Sequence, residues 1–157
     1  MTEYKKIQKI LHWGIAVLLL AQFVFHEAIS DAWHAIEDGF FVAPSPLVMA
    51  HVGGGLLILV LVLFRLYARH KHGTPPLPED EPLHLKWAAK ITHFALYALM
   101  ILLPITGAAA WFGGVYEAAE IHEILKFALI VTFLAHIGGF VYQQFIAKTG
   151  IWKRMWF

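Results

Sequence analysis

Four stretches of this chain are long and apolar enough to cross a membrane, and that constrains its fold more than any other feature. They cover about 10–25, 47–67, 87–111 and 121–146. Each approaches the roughly 20 residues that a helix needs to span a ~30 Å hydrocarbon core. Within that core, backbone N–H and C=O groups must be satisfied inside their own segment, so each span is expected to be a helix. The first stretch is the shortest and gains length from the amphipathic turn at 5–9. A cleaved signal peptide is the competing reading there, but no small-residue cleavage site follows, and the run continues into His26 and Glu27. Composition agrees: 59% of residues are hydrophobic and 15% charged, against roughly half and a quarter in soluble domains. The sequence therefore predicts an all-α membrane protein, one domain over 1–157, with four transmembrane helices at about 7–27, 47–69, 85–111 and 120–147.

Charge orients the bundle. With the N-terminus inside, Lys5, Lys6, Lys9, Arg65, Arg69, Lys71, Lys86, Lys90, Lys148, Lys153 and Arg154 all fall on the cytoplasmic side, leaving only Lys126 of the 12 basic residues elsewhere. The positive-inside rule then puts both termini in the cytoplasm. Among the 11 acids, Glu27, Asp31, Glu37, Asp38, Glu117, Glu120 and Glu123 lie on or near the outer face. A net charge of +1 implies no nucleic-acid partner; the lipid bilayer is the expected surroundings. The outer connection at 28–46 reads as a loop closed by Pro44 and Pro46. The inner one at 68–86 carries an extended Thr74-Pro75-Pro76-Leu77-Pro78 run, and the outer one at 112–120 opens with Gly113-Gly114. Pro104 and Gly107 mark a kink site in the third span.

The chain has no cysteine and 10 histidines. Disulfides, iron–sulfur clusters and thiolate zinc sites are excluded, and ionisable residues inside a membrane read as functional by default. Placed by helical rise, the intramembrane histidines form two layers. His12, His93 and His136 lie toward the cytoplasm, and His26, His51 and His122 toward the outside. His34 falls in the outer loop; His70, His72 and His84 fall in the inner one. His122 and His136 are 14 residues apart, roughly 21 Å along the axis and within about 40° of the same face. One helix thus offers a ligand to each of two stacked sites. Haem takes an axial ligand on each side of its plane, supplied by facing helices. For the outer layer the simplest partner is His51; for the inner layer it is His12 or His93. Glycines stand near three of these rings, as Gly53-Gly54-Gly55, Gly138-Gly139 and Gly14. They leave room for a flat macrocycle, although glycine also serves close helix packing. A haem-free metal or proton transporter is the competing reading, but it calls for intramembrane carboxylates that these spans almost lack.

Several stretches resemble the bacterial cytochrome b561 family: Leu11-His12-Trp13, Ala50-His51-Val52-Gly53, Thr92-His93-Phe94-Ala95-Leu96-Tyr97, the His122…His136 pair, and Arg65…His72-Gly73-Thr74-Pro75-Pro76. The resemblance runs in order along essentially the whole chain. It implies a four-helix diheme cytochrome b of the bacterial inner membrane, with two haem b groups and ubiquinone as exchangeable substrate. It further implies that His12 with His136 holds the inner haem and His51 with His122 the outer one, while His93 matches a family histidine that is not an axial ligand. Some members oxidise superoxide outside and pass the electrons to ubiquinone. This chain differs from those members in its acidic outer loops, which repel an anion, and in Gln143, which stands where they have a histidine.

Two histidines per iron leave no open coordination position, so such haems only pass electrons. The expected function is electron transfer across the membrane between a periplasmic-side donor, with superoxide as one candidate, and ubiquinone. The alternative is a haem-bearing anchor subunit that exchanges electrons between quinone and a separate dehydrogenase or a basic periplasmic redox protein, which the acidic outer face would dock. His93, Tyr97, Gln143 and Arg65 are candidate quinone or propionate contacts at the inner end. Lys126 is set to meet either a propionate or Glu123.

Overall fold

Each apolar stretch is a helix in the computed structural model, which describes residues 3–43, 45–76 and 81–156. Pro44, and Leu77 and Pro78 of the proline run, lie outside the described residues. The four long helices are α1 (Lys6–Val24), α3 (Pro46–His72), α4 (Leu83–Gly113) and α5 (Tyr116–Val141); α5 continues into a π-helical turn, Tyr142–Ile146. All four are long and apolar enough to cross a membrane, with mean hydropathies from 1.6 to 2.6 over their best windows. Two short helices are also present among the described residues: α2 (His26–Glu37) and α6 (Trp152–Met155).

Local chemistry sets the boundaries. α3 starts where Ser45 Oγ accepts from the Val48 N–H at 3.2 Å, with Pro46 in the first turn, where its missing donor costs nothing. It stops at Gly73, whose φ of 71° suits glycine alone at no cost. α4 runs unbroken through Pro104 and ends at Gly114, left-handed at φ 64°. Only Gly114 and Val115 separate α4 from α5, so these two helices form a tight antiparallel hairpin.

The segment at 28–46 is not the loop that its polar residues suggest. Most of it is α2, which leaves α1 at Phe25. Ile29, Ala32, Trp33 and Ile36 recur at helical spacing, so one face is apolar and the other carries Glu27, Asp31 and Asp38. His34 therefore sits on a helix. Likewise His70 and His72 belong to the last turns of α3 and His84 to the first turn of α4.

The core draws on every long helix: Ile15, Ile58, Val62, Leu96, Leu99, Met100, Leu103 and Leu129 are buried together. Outward-facing side chains such as Val17, Phe64, Phe94, Phe127 and Leu134 are apolar and exposed, as a lipid-facing surface requires. Around the bundle α1 packs on α3, α3 on α4 and α4 on α5, whereas α1 and α5 make little direct contact. The end holding both termini is tied by polar contacts. Arg65 donates to the Gln8 carbonyl at 2.6 Å and to Tyr97 Oη at 3.0 Å, and Gln8 Nε2 donates to the Gly73 carbonyl at 2.9 Å. The C-terminal segment folds back over α1: Lys9 Nζ donates to the Trp156 carbonyl at 2.6 Å and Trp13 Nε1 to the Met155 carbonyl at 3.0 Å.

Lipid is as apolar as the bundle core, so removing a buried side chain forfeits packing and little transfer energy. Leu129→Ala is expected to lower the stability of the detergent-solubilised protein by about 1–3 kcal/mol. Leu134→Ala, on the lipid face, is expected to have no measurable effect in the same thermal-unfolding assay.

Candidate functional site

Two pairs of imidazoles face each other inside the bundle, one pair toward each end. At the end holding the termini, His12 of α1 and His136 of α5 have ring centres 6.2 Å apart. At the opposite end, beneath α2, His51 of α3 and His122 of α5 are 6.5 Å apart. Two imidazoles bonded to one metal at about 2.0–2.1 Å, on opposite sides, hold their ring centres roughly 6 Å apart. Both pairs have that spacing. His93 of α4 meets His136 edge-on at 5.1 Å, a direct ring contact without room for an atom bonded to both.

Hydrogen bonding orients these rings. His122 Nδ1 donates to the Leu103 carbonyl at 2.9 Å, with Thr106 Oγ1 at 3.2 Å, which leaves Nε2 free on the other side of the ring. Such a bond fixes the tautomer and raises the basicity of the second nitrogen, as is usual behind metal-bound histidines. The ring can lie this close to α4 because residue 107 is glycine: a Cβ there would meet His122 Cε1 at 3.1 Å and Nδ1 at 3.2 Å. His93 Nδ1 donates to the Ala89 carbonyl at 2.6 Å. His51 Nδ1 is buried and has no hydrogen-bond partner among the described residues.

A cavity of about 290 Å³ opens between His51 and His122, with Gly55 and Gly107 in its walls, Trp33 of α2 across it and Lys126 at its edge. A second, apolar hollow of about 340 Å³ lies where α1 and α5 stand apart, walled by Phe23, Ile130, Phe133 and Leu134 with His26 and Lys126 beside them. Among the described residues no three His, Cys, Asp or Glu side chains converge to hold a bare metal ion. Paired ligands suit a tetrapyrrole, which brings four nitrogens of its own. The residues present fit haem.

The other residues singled out from the sequence have defined partners. Arg65 and Tyr97 bond each other at the end holding the termini. Lys126 pairs with Glu123. Gln143 Nε2 donates to Glu81 Oε1, and Gln144 Oε1 accepts from the Trp152 N–H at 3.1 Å. His26 lies outside both pairs, its Nδ1 bonded to the Phe23 carbonyl at 3.1 Å. Sequence reasoning missed Gly107 as a wall against His122. The 15-residue step from Gly107 to His122 crosses the α4–α5 turn, and only a hairpin drawn with a two-residue connection would have revealed the contact. The α2 cover was also missed, although its amphipathic spacing was visible.

A four-helix membrane bundle with imidazoles paired across it points to the class of membrane cytochromes. The chain belongs to the prokaryotic cytochrome b561 family, whose profile matches residues 3–157. It is 34% identical to a cytochrome b562 of Cereibacter sphaeroides, over 97% of this chain and 94% of that protein. It is 31% identical to a probable superoxide oxidase of Yersinia pestis over 68% of this chain and 57% of that one. With cytochrome b561 homolog 1 of Escherichia coli the identity is 27%, over 99% of this chain and 97% of the other. The protein is thus an electron-transferring membrane cytochrome, multi-pass and bacterial, of a family that implies haem b. That membership replaces the haem-free transporter reading.

Gly107→Ala is expected to leave the fold intact while displacing the His122 ring by a few tenths of an ångström. The readout is a shift or partial loss of one haem component in the reduced-minus-oxidised spectrum. An unchanged spectrum would mean that His122 does not carry haem.

Proposed function

We propose that the protein is a diheme b-type cytochrome that carries electrons across the bacterial inner membrane, between a periplasmic-side donor and membrane ubiquinone. The observation that carries this reading is the presence of two imidazole pairs at metal-bridging separation, near opposite ends of one bundle. In it, His12 with His136 holds the inner haem and His51 with His122 the outer one. Both termini, with eleven basic residues around them, lie in the cytoplasm.

Haem b supplies one-electron redox chemistry when bound. The residues do the rest. Each histidine pair would hold one haem between two facing helices, and the chemistry that haem would supply is electron transfer. His122, tied to the Leu103 carbonyl at 2.9 Å, has its ring held in one orientation. Arg65 is a cation at the inner end whose hydrogen-bond partners among the described residues are neutral, the Tyr97 hydroxyl and the Gln8 carbonyl. A charge so placed calls for an anion, and a haem propionate supplies one. His93 is the group for a quinone carbonyl, with Gln143 nearby as the partner of Glu81. Lys126 has its charge engaged by Glu123 and does little to attract an anionic donor.

A second reading has its own support. α2 and the start of α5 present Glu27, Asp31, Glu37, Asp38, Glu117, Glu120 and Glu123 at one end of the bundle. This charge disfavours superoxide and favours a basic periplasmic redox protein, or a separate dehydrogenase for which this chain is the membrane anchor.

Three experiments test the assignment. His122→Ala should remove one haem and leave the other, halving the haem-to-protein ratio; loss of both together would contradict two independent pairs. In stopped flow, superoxide and a soluble ubiquinone should each react with the haems well above background if superoxide is the donor. Quinone reactivity alone would favour the docked-partner reading. Arg65→Gln should lower the midpoint potential of the inner haem, since it removes a positive charge that favours the reduced state. Potentiometric titration reads this, and an unchanged potential would exclude Arg65 as a neighbour of the inner haem.

A further inference from the structure

Past Val141 the backbone of α5 widens into the π-helical turn, where the Ala147 N–H reaches the Tyr142 carbonyl at 2.9 Å. Such turns are rare and gather at functional sites. The one here is pinned at Gln143, whose carbonyl accepts from both the N–H and the Oγ1 of Thr149, at 3.0 and 3.1 Å. Gln143 lies about two turns beyond His136 on the same helix, roughly 10 Å by helical rise. Its amide nitrogen donates to Glu81 Oε1. The other oxygen of each side chain, Glu81 Oε2 and Gln143 Oε1, is buried and lacks a hydrogen-bond partner among the described residues.

Two buried acceptors without a donor each carry a desolvation cost that nothing offsets. One proton removes both deficits. If Glu81 is a neutral acid, its Oε2–H donates to Gln143 Oε1 while Gln143 Nε2–H donates to Glu81 Oε1, closing the cyclic pair that carboxylic acids form with primary amides. A carboxylate leaves both oxygens orphaned, because neither Gln143 Oε1 nor ionised Glu81 has a hydrogen to give. We infer that Glu81 and Gln143 form a neutral acid–amide pair, and that Glu81 is the proton donor for the quinone reduced at this end of the bundle. The second half rests on the quinone reading above. Reduction of one quinone to quinol takes two electrons and two protons. The electrons come from the proposed haem chain. Glu81 passes one proton to a quinone oxygen and regains it from the cytoplasmic water, which also supplies the second. Gln143 is a positioning residue, holding the acid in its neutral form.

Infrared difference spectroscopy on the purified holoprotein reads the pair without any turnover. A protonated-carboxyl C=O band that shifts in D2O is expected in the wild type and should vanish in Glu81→Gln. That variant keeps a cyclic amide–amide contact and hence the fold, so both haem spectra should be unchanged. Gln143→Leu, which removes the partner, should shift or abolish the same band. In stopped flow, haems prereduced with dithionite should be reoxidised by a short-chain ubiquinone at least tenfold more slowly in Glu81→Gln, while their reduction by dithionite keeps its rate. A band absent from the wild type, or persisting in Glu81→Gln, overturns the neutral pair; equal reoxidation rates overturn the proton-donor role. A wild type that quinone does not reoxidise at all sinks the quinone reading, and the infrared band then decides the acid–amide pair by itself.

Discussion

An imidazole within hydrocarbon needs a partner for each ring nitrogen, and this bundle is arranged around five such rings. The helices pack continuously from α1 through α3 and α4 to α5, whereas the backbones of α1 and α5 make little direct contact. Where α1 and α5 approach, the rings of His12 and His136 face each other across 6.2 Å. The spacing of His122 and His136 on α5 fixes the rest. Because both lie near one helix face, α5 must turn that face inward over its whole length, which leaves Phe127 and Leu134 to the lipid. A helix with ligands on two faces could not serve two levels of one bundle.

The two ends solve different electrostatic problems. At the end holding the termini, cations are folded into the structure: Arg65 spans α1 and α4 through Gln8 and Tyr97, and Lys9, 7% exposed, binds the carbonyl of Trp156 and the carboxylate of Glu3. At the other end the charges stay on the surface, mostly acidic, and α2 shields the rings beneath. The end holding the termini therefore offers fixed positive charge close to His136, and the opposite end a screened negative field that salt would weaken.

The spans and the two layers of histidine were legible because each leaves a signal in composition or in helical spacing. Residues 121–146 read as one apolar run, and His122 and His136 repeat at a spacing that depends only on the geometry of a single helix. What escaped depended on tertiary geometry. Ring depth alone left His12 and His93 as alternatives opposite His136, and only the resemblance chose His12, because the separations of 6.2 and 5.1 Å lie between different helices. α2 was read as a loop because its acids outweigh its apolar stripe in composition. The Glu81–Gln143 contact joins residues 62 apart in sequence, one on the approach to α4 and the other in a π turn, and helix-period reasoning stops where the period changes.

The two-residue connection at Gly114 and Val115 has a consequence for how the protein is made. α4 and α5 are too tightly joined to enter a bilayer one at a time with an extended loop between them, so they must insert as a hairpin. That hairpin carries His93, His122 and His136, while α1 and α3 carry His12 and His51. Each facing pair thus takes one ring from the first half of the chain and one from the second. Neither half can complete a pair alone, so both ring pairs can form only once the two halves have met in the membrane.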